Sequence, residues 1–292
     1  MSGRLEARRP FRDRGTRAIP HLAHERAVAQ TYGSEGSEGS EGSEGSEGSE
    51  GAVLEWSEMT DEYNYDSFHA KHYELLDFKG PRIGDVAPDF TARRLDGREV
   101  RLSDYRGPVT VLEMGSITCP IYQTRVKGMH AVASEFLDCQ FLVLYVREAH
   151  PGANVCQHES DADKLASASE LKRTFHENRE ILVDDIDGTA HRLYGGMPNS
   201  VFIIDGQGRI AFRSDWNDVS ATKKALTKLQ RGESAGAVRS YFKPANPAVG
   251  KKVFQHAGKG SAKDFFGSLP TLIRQNLLTR NLRELFSRTR AP

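Results

Sequence analysis

The chain has 292 residues, and its 40 acidic side chains balance its 40 Lys and Arg, so the formal net charge is zero. Bulk charge therefore gives no indication of a nucleic-acid partner, and we predict none. Three cysteines, Cys119, Cys139 and Cys156, are too few and odd in number for a disulfide-stapled scaffold. No run of about 18 apolar residues is present, so the sequence predicts no transmembrane helix.

The N-terminal part has the composition of a tail. Residues 33–51 repeat Ser-Glu-Gly and offer no apolar side chain to bury, so we predict that residues 1–51 are disordered. The first residues are rich in arginine but lack the apolar stretch of a secretory signal, and we expect a cytoplasmic location. Residues 52–82 carry scattered aromatic side chains. They predict an extension that packs on the domain edge, with roughly helical spacing over 68–76.

Between residues 83 and 231 the pattern is that of a folded domain. Residues 109–114 predict a buried strand, which a turn at 115–119 connects to a helix that begins at Pro120 and ends near Phe136. The later expected elements are a strand at 141–146, a helix at 161–177 capped by Ser160 or Asp161, a strand at 181–183, a hairpin of 201–204 with 210–213, and a helix at 221–230.

This alternation of strands and helices predicts the class of fold. Strands separated by helices and closed by a hairpin and a last helix indicate an α/β open sheet with helices on both faces. The turn at Cys119 then lies at the carboxyl end of a central strand, which is where such sheets place their sites.

Residues 232–292 form a basic segment. Its apolar residues have the spacing of an amphipathic helix: Leu269, Leu272, Ile273, Leu277, Leu278, Leu282, Leu285 and Phe286. Such a helix could contact an anionic membrane surface or fold onto the domain that precedes it, and we favour the second arrangement.

Cys119 is the candidate nucleophile. A thiol attacks as its thiolate, and the N-terminus of a helix lowers the pKa of a cysteine through its aligned N–H dipoles. The alternative is a buried structural cysteine. Because Tyr122 stands where a CxxC site has its second cysteine, any resolving thiol must come from elsewhere. Cys156, in a loop after His150, is our candidate, whereas Cys139 is expected in the core.

Three motifs carry a family resemblance. They are Gly-Ser-Ile-Thr-Cys-Pro at 115–120, Tyr-Val-Arg-Glu-Ala-His-Pro at 145–151, and Tyr-Gly-Gly-Met-Pro at 194–198 followed by Val-Phe-Ile-Ile at 201–204. The stretch 115–229 resembles the iodothyronine deiodinases, and residues 83–90 look like the general entry of a redoxin domain. The resemblance implies a thioredoxin-like fold.

The resemblance also implies roles for individual residues. Cys119 stands at the family's selenocysteine position, and Thr118 matches the residue before it. His150 matches the catalytic histidine, a group that titrates near neutrality, while Tyr145 and Glu148 match a proton network. In this fold the proline after Met197 is usually cis and faces the sulfur. We therefore expect Met197, Pro198 and Ser116 to contact substrate.

These residues predict a thiol-dependent oxidoreductase. Cys119 would attack a small-molecule acceptor such as an organic halide, His150 would supply a proton, and an external thiol or thioredoxin-type donor would regenerate the enzyme, with no bound cofactor. The alternatives are a peroxiredoxin-like thiol peroxidase and a non-catalytic binding module. Peroxiredoxins use the pattern Pro-x-x-x-Thr/Ser-x-x-Cys, in which Ser116 fits the hydroxyl position but Leu112 stands where the proline should be. The acidic turn 184–188 and the group His150, Cys156 and His158 match no established metal pattern, so no metal is predicted. A homodimer stays open.

Overall fold

The computed structural model describes residues 63–287, so the predicted tail 1–51 and the start of the 52–82 extension lie outside the described residues. Seven strands form one mixed sheet. In chain order they are β1 (Thr91–Arg94), β2 (Glu99–Arg101), β3 (Thr110–Gly115), β4 (Gln140–Tyr145), β5 (Glu180–Val183), β6 (Val201–Ile204) and β7 (Ile210–Ser214).

The strand order across the sheet is β2-β1-β5-β4-β3-β6-β7. β3 is parallel to β4, which is parallel to β5, whereas β6 is antiparallel to β3 and forms the hairpin with β7. A parallel β-α-β unit followed by an antiparallel hairpin, in the order β4-β3-β6-β7, is the core of a thioredoxin-like fold. The α/β class expected from the sequence is confirmed.

Three of the domain helices follow the strands as predicted, with ends that differ by a few residues, and a fourth, short helix was not predicted. In chain order they are α1 (Pro120–Glu135), α2 (Asp161–Thr174), the unpredicted α3 (Thr189–Leu193) and α4 (Val219–Gln230). Cys119 is the N-cap of α1, and Pro120 occupies the first helical turn, where its missing N–H costs nothing. The hydroxyl of Ser160 accepts a hydrogen bond from the Asp163 N–H, which makes Ser160 the cap of α2.

The central strands are buried on both faces because alternate side chains enter two different cores. Leu112 and Leu142 pack with residues from the N-terminal stretch and α3, whereas Val111 and Phe141 pack against α1 and α4. Strands covered on both sides become continuous apolar runs. This explains why the sequence pattern identified β3 and β4 so readily.

Three local features differ from the expectation. β1 and β2 were not predicted, since they are the two outermost strands on one side of the sheet and their short polar segments have largely exposed side chains. The helical spacing over 68–76 yields only a 3-10 turn, Ala70–His72. A second 3-10 turn, Leu102–Tyr105, follows β2.

The basic segment folds back onto the domain. Helix α5 (Pro247–Ala257) packs on α1, and α6 (Ser261–Leu272) continues as a π-helix (Ile273–Arg280) and then α7 (Asn281–Phe286). The indole N–H of Trp216 donates to Asn276 Oδ1 at 2.9 Å, and Arg280 forms a bidentate ion pair with Asp215. Within residues 63–287 there is no helix that is both long and apolar enough to cross a bilayer.

Candidate active site

A cavity of about 680 Å³ opens where β3 ends and α1 begins. Cys119, Pro120 and Ile121 line it from the start of α1, and Ala149 and His150 line it from the loop after β4. Most of the other lining side chains are apolar. The turn predicted to carry the chemistry therefore lies on the wall of a cavity large enough for a drug-sized molecule.

Cys119 is buried in this wall, with 1% of its surface exposed. Its sulfur accepts a hydrogen bond from the Tyr122 N–H at 3.5 Å. Burial raises the pKa of the thiol to about 12, although the N–H groups of Tyr122 and Ile121 act in the opposite direction. The predicted lowering of the pKa is therefore wrong, because the desolvation of the thiolate outweighs the helix N-terminus.

His150 lies in an apolar cage. The ring centroid of Phe68 is 4.2 Å away, and those of Phe265 and Phe254 are 5.4 and 5.6 Å away. Burial lowers the pKa of the imidazole to about 3, and the opposing attraction of Glu148 is too weak to restore it. The expected titration near neutrality is wrong. Nδ1 of His150 is buried with no hydrogen-bond partner among the described residues.

Glu148 connects the turn that carries Cys119 with the loop that carries His150. Its Oε2 accepts from the N–H and the hydroxyl of Thr118 at 3.0 and 2.5 Å, and its Oε1 accepts from the hydroxyl of Tyr145. The Thr118 hydroxyl also accepts from the His150 N–H at 3.1 Å. Burial raises the pKa of Glu148, but the close approach of His158 and the hydrogen bonds from Thr118 and Tyr145 outweigh it, so the pKa lies below its usual value.

His158 also belongs to this network. From the sequence it was considered only as a metal ligand with His150 and Cys156, and no metal was predicted there. Its Nε2 lies 3.3 Å from Glu148 Oε1, a distance typical of an ion pair, and the imidazole is almost fully buried. That contact lacks hydrogen-bond alignment. The neighbouring Gln157 fixes the backbone, since it accepts from the Glu148 N–H at 2.9 Å and donates to the Glu148 carbonyl at 3.1 Å.

The predicted substrate contacts divide into two groups. Pro198 lines the cavity, whereas Met197 packs in a cluster with Trp216 and lies outside the lining. The hydroxyl of Ser116 points to the Ala149 N–H at 3.3 Å and is fully buried, so it too lies behind the cavity wall. The Met197–Pro198 peptide, expected to be cis, is trans, as is every peptide bond of residues 63–287.

The other two cysteines lie away from the cavity lining. Cys156 is exposed in the loop after His150, and Cys139 is half-buried against the core beside α1 and α4. Neither forms a disulfide with Cys119 within the described residues. The resolving role of Cys156 stays a prediction.

Arg147 anchors the N-terminal extension next to the site. Its guanidinium lies 4.7 to 4.9 Å from the ring centroids of Tyr63, Tyr65 and Tyr73, and it donates to the carbonyls of Tyr63 and His72 at 2.5 and 2.9 Å. A guanidinium over aromatic faces is held by cation–π attraction as well as by hydrogen bonds. This arrangement brings Tyr73 to the cavity wall.

A large part of the cavity wall was not predicted from the sequence. Helices α5 and α6 and the π-helix close the cavity opposite Cys119, and the lining residues that they contribute include Phe254, Phe265, Leu269, Leu272 and Leu277. Aromatic residues near 254 and 265 are visible in the sequence. Their packing against His150, more than 100 positions earlier in the chain, is a tertiary event that no local pattern contains.

Comparison with known proteins agrees with the fold and with the motifs. Residues 48–226 match the model of the iodothyronine deiodinase family. The chain is 29% identical over 147 residues to thyroxine 5-deiodinase of Gallus gallus, covering 46% of this chain and 57% of that protein. It is 27% identical over 164 residues to thyroxine 5-deiodinase of Sparus aurata, covering 51% and 61%. The matched part is thus less than two thirds of either relative.

Solved structures are more distant. An uncharacterized conserved protein from Geobacillus kaustophilus aligns with a TM-score of 0.44 and 17% identity, covering 55% of this chain and 86% of that one. A putative thiol:disulfide interchange protein from Chlorobium tepidum aligns with a TM-score of 0.41 and 21% identity, covering 54% of this chain and 100% of that one.

The sheet topology and the cysteine at the start of α1 define a redoxin of the thioredoxin-like class. Because the family model matches more than half of it, the chain belongs to the iodothyronine deiodinase family. This membership overturns the expected cytoplasmic location, since the deiodinases to which the chain is similar are membrane-anchored proteins. The prediction from the N-terminal composition was wrong.

Proposed function

We propose that the protein is a thiol-dependent reductive dehalogenase in which Cys119 attacks the halogen of an organic halide. The observation that carries this proposal is that Cys119 and His150 both line one largely apolar cavity, where Nδ1 of His150 has no hydrogen-bond partner among the described residues. Family membership supports the same class of chemistry.

In the resting state the Cys119 thiol carries the proton that the carbon receives in the reaction. With pKa values of about 12 and about 3, the pair rests as a neutral thiol and a neutral imidazole. An apolar site favours this uncharged form. When an acceptor fills the cavity, His150 takes the thiol proton while the sulfur attacks, and it then gives that proton to the carbon.

The chemical balance closes with an external thiol. In the first step the carbon–halogen bond breaks, an S–halogen bond forms at Cys119, and the carbon receives the proton that the thiol carried. An external thiol then displaces halide and leaves a mixed disulfide, which a second thiol reduces. The carbon is reduced, two external thiols become one disulfide, and hydrogen halide leaves.

Glu148 would act in this scheme as a positioning residue. It does not line the cavity, yet it ties the residue before Cys119 to the loop that carries His150. The thiol peroxidase alternative requires a thiolate at rest, and the burial of Cys119 disfavours one. The binding-module alternative predicts that Cys119 is dispensable.

The test measures iodide released from an iodinated phenol with dithiothreitol as the reductant. We expect Cys119→Ser to lower the rate at least about 100-fold, because an alcohol is a far weaker nucleophile toward iodine. Cys139→Ser is the matched control and should retain the rate. Iodide release that survives Cys119→Ser, or peroxide consumption without iodide release, contradicts the proposal.

A further inference from the structure

The C-terminal wall of the cavity lies outside the region that defines the family. The family match ends at residue 226, whereas α5, α6 and the π-helix occupy residues 247–280. Phe254 and Phe265 from this wall pack edge-on against the imidazole of His150. This part of the chain therefore shapes the space next to the reacting atoms independently of the family motifs.

The charges around the cavity are one-sided. Among the described residues that line it there is no Asp, Glu or Arg, and Lys251 is the only lysine. Lys251 is exposed, whereas Cys119 is buried, so the lysine stands toward the mouth and the thiol toward the interior. A bound anionic group could meet Lys251, but a bound ammonium group would find no carboxylate.

The mouth itself is apolar. Phe266 and Ile273 line the cavity and yet remain 60% and 42% exposed. Large apolar side chains that are both exposed and continuous with a cavity mark a surface for an apolar ligand. The interior adds one buried polar atom without a partner, Nδ1 of His150.

We propose that the C-terminal wall selects an apolar, aromatic-sized acceptor that carries one anionic group and no ammonium group, with its anion at Lys251. The inference rests on the proposed function only for the role of the bound molecule as the acceptor. The physical reason is that an α-ammonium would lie one carbon from that anion, where Lys251 repels it and no carboxylate of the described lining offsets the repulsion. An anion at the mouth keeps part of its hydration and gains the attraction of the lysine.

The test compares two probes that share one ring. They are 3-(3,5-diiodophenyl)propionate and 3,5-diiodophenylalanine, which differ only in the α-ammonium group. Binding is measured by titration calorimetry to the full chain carrying Cys119→Ser, so that no turnover occurs. We expect the propionate to bind at least about tenfold more tightly than the amino acid.

A matched pair of lysine variants isolates the charge. Lys251→Glu should weaken binding of the propionate about tenfold and reduce the preference between the probes, since it replaces attraction by repulsion. Lys252→Glu makes the same charge change at an exposed neighbour outside the lining, and it should alter the affinity less than about twofold.

A second pair tests the wall. Phe265→Ala should weaken both probes by a similar factor of about ten, because it removes apolar contact without changing charge. Phe286→Ala removes an exposed ring outside the lining and should leave both affinities unchanged. Thermal melts of the variants identify any that fail to fold. Lys251 and Lys252 are both exposed, so their substitution disturbs no buried side chain.

The inference is overturned if the propionate does not bind, or if the amino acid binds as tightly as the propionate or more tightly. It is also overturned if the two lysine variants have equal effects. The proposed function fails in a different way. If the preference for the propionate is present but the protein with Cys119 intact releases no iodide, the acceptor class holds and the dehalogenase reaction does not.

Discussion

Oε2 of Glu148 accepts hydrogen bonds from both the main-chain N–H and the hydroxyl of Thr118, at 3.0 and 2.5 Å. Thr118 precedes Cys119 in the chain, and its hydroxyl also accepts from the His150 N–H. One buried carboxylate thereby sets the relative positions of the turn that carries the thiol and the loop that carries the imidazole. The positions of both catalytic candidates depend on a residue that touches neither reacting atom.

The first prediction concerns this carboxylate. Glu148→Gln replaces one of two acceptor oxygens by an NH₂ group that faces donors, so we expect a loss of about 1–3 kcal/mol in the free energy of unfolding. Urea denaturation measures it. Glu135→Gln, at a surface ion pair with Lys223, should change the stability by less than about 0.5 kcal/mol. Equal effects of the two variants would contradict a connecting role for Glu148.

If Glu148 positions the site, its loss should also affect turnover. We expect Glu148→Gln to lower kcat for iodide release about tenfold or more while KM changes little, since the carboxylate lies outside the cavity lining. A purely structural role would instead lower the amount of folded protein without changing kcat per active molecule. Titration of Cys119 measures the number of active molecules.

The second prediction concerns the pH dependence of Cys119. A pKa of about 12 means that the thiolate fraction, and with it the rate of alkylation by iodoacetamide, should rise about tenfold per pH unit without a plateau up to pH 10. Stopped alkylation followed by mass spectrometry of the Cys119 peptide separates it from the exposed Cys156. A plateau below pH 9 would mean that the helix N-terminus prevails over burial.

The third prediction concerns acid stability. An unfolded histidine takes up a proton near pH 6.5, whereas folded His150 does so only near pH 3, so the folded state binds fewer protons between these values. The stability that neutral His150 contributes is complete above pH 6.5 and is lost as the pH falls toward 3. For one such group the slope approaches 1.4 kcal/mol per pH unit.

His150→Phe removes this titration and keeps an aromatic ring among Phe68, Phe254 and Phe265. Between pH 6.5 and 4.5 the free energy of unfolding of the variant should therefore decrease less steeply than that of the original protein, by about 1 kcal/mol per pH unit. Urea unfolding at three pH values supplies both slopes. Parallel slopes would contradict a buried neutral imidazole.

The β3-α1-β4 unit was predictable from the sequence because its information is local. Apolar β-branched runs indicate buried strands, and a proline after Cys119 indicates the first turn of a helix. The placement of Cys119 at that N-cap is thus correct, while its acidity is not. Acidity depends on desolvation, because Cys119 packs in a buried cluster with side chains of other elements, such as Tyr145 and Leu171. That packing is fixed only by the tertiary fold.

The roles of polar residues were harder to predict for the same reason. The resemblance assigned Glu148 and Tyr145 to a proton network, but only the tertiary fold shows that the carboxylate also accepts from the Thr118 hydroxyl. Ser116 lies three positions before Cys119, yet its hydroxyl accepts from the Ala149 N–H behind the wall. Met197 precedes a cavity residue in the chain and still packs in a cluster outside the lining. Pro198, the next residue, does line the cavity.

The fourth prediction concerns Arg147. Its guanidinium is surrounded by three tyrosine rings and bonded to two carbonyls of the N-terminal extension, so Arg147→Gln should cost about 3 kcal/mol in the free energy of unfolding. The segment 63–73 should also become sensitive to trypsin or chymotrypsin under native conditions. Arg93→Gln, at an exposed ion pair, is the control and should alter neither property.

The last prediction concerns two glycines with opposite surroundings. A Cβ at Gly115, at the end of β3, would lie 2.4 Å from the ring of Tyr122, which a hydrogen bond to Glu177 holds in place. Gly115→Ala should therefore destabilise the fold by about 2–3 kcal/mol and displace the start of α1, lowering iodide release as well.

A Cβ at Gly267, inside α6, would meet no atom within 4 Å. Gly267→Ala should stabilise the protein by about 0.5–1 kcal/mol, because alanine restricts the unfolded chain and favours the helix. Thermal and urea unfolding of both variants measure the contrast, and a neutral Gly115→Ala would show that Tyr122 can move away without cost.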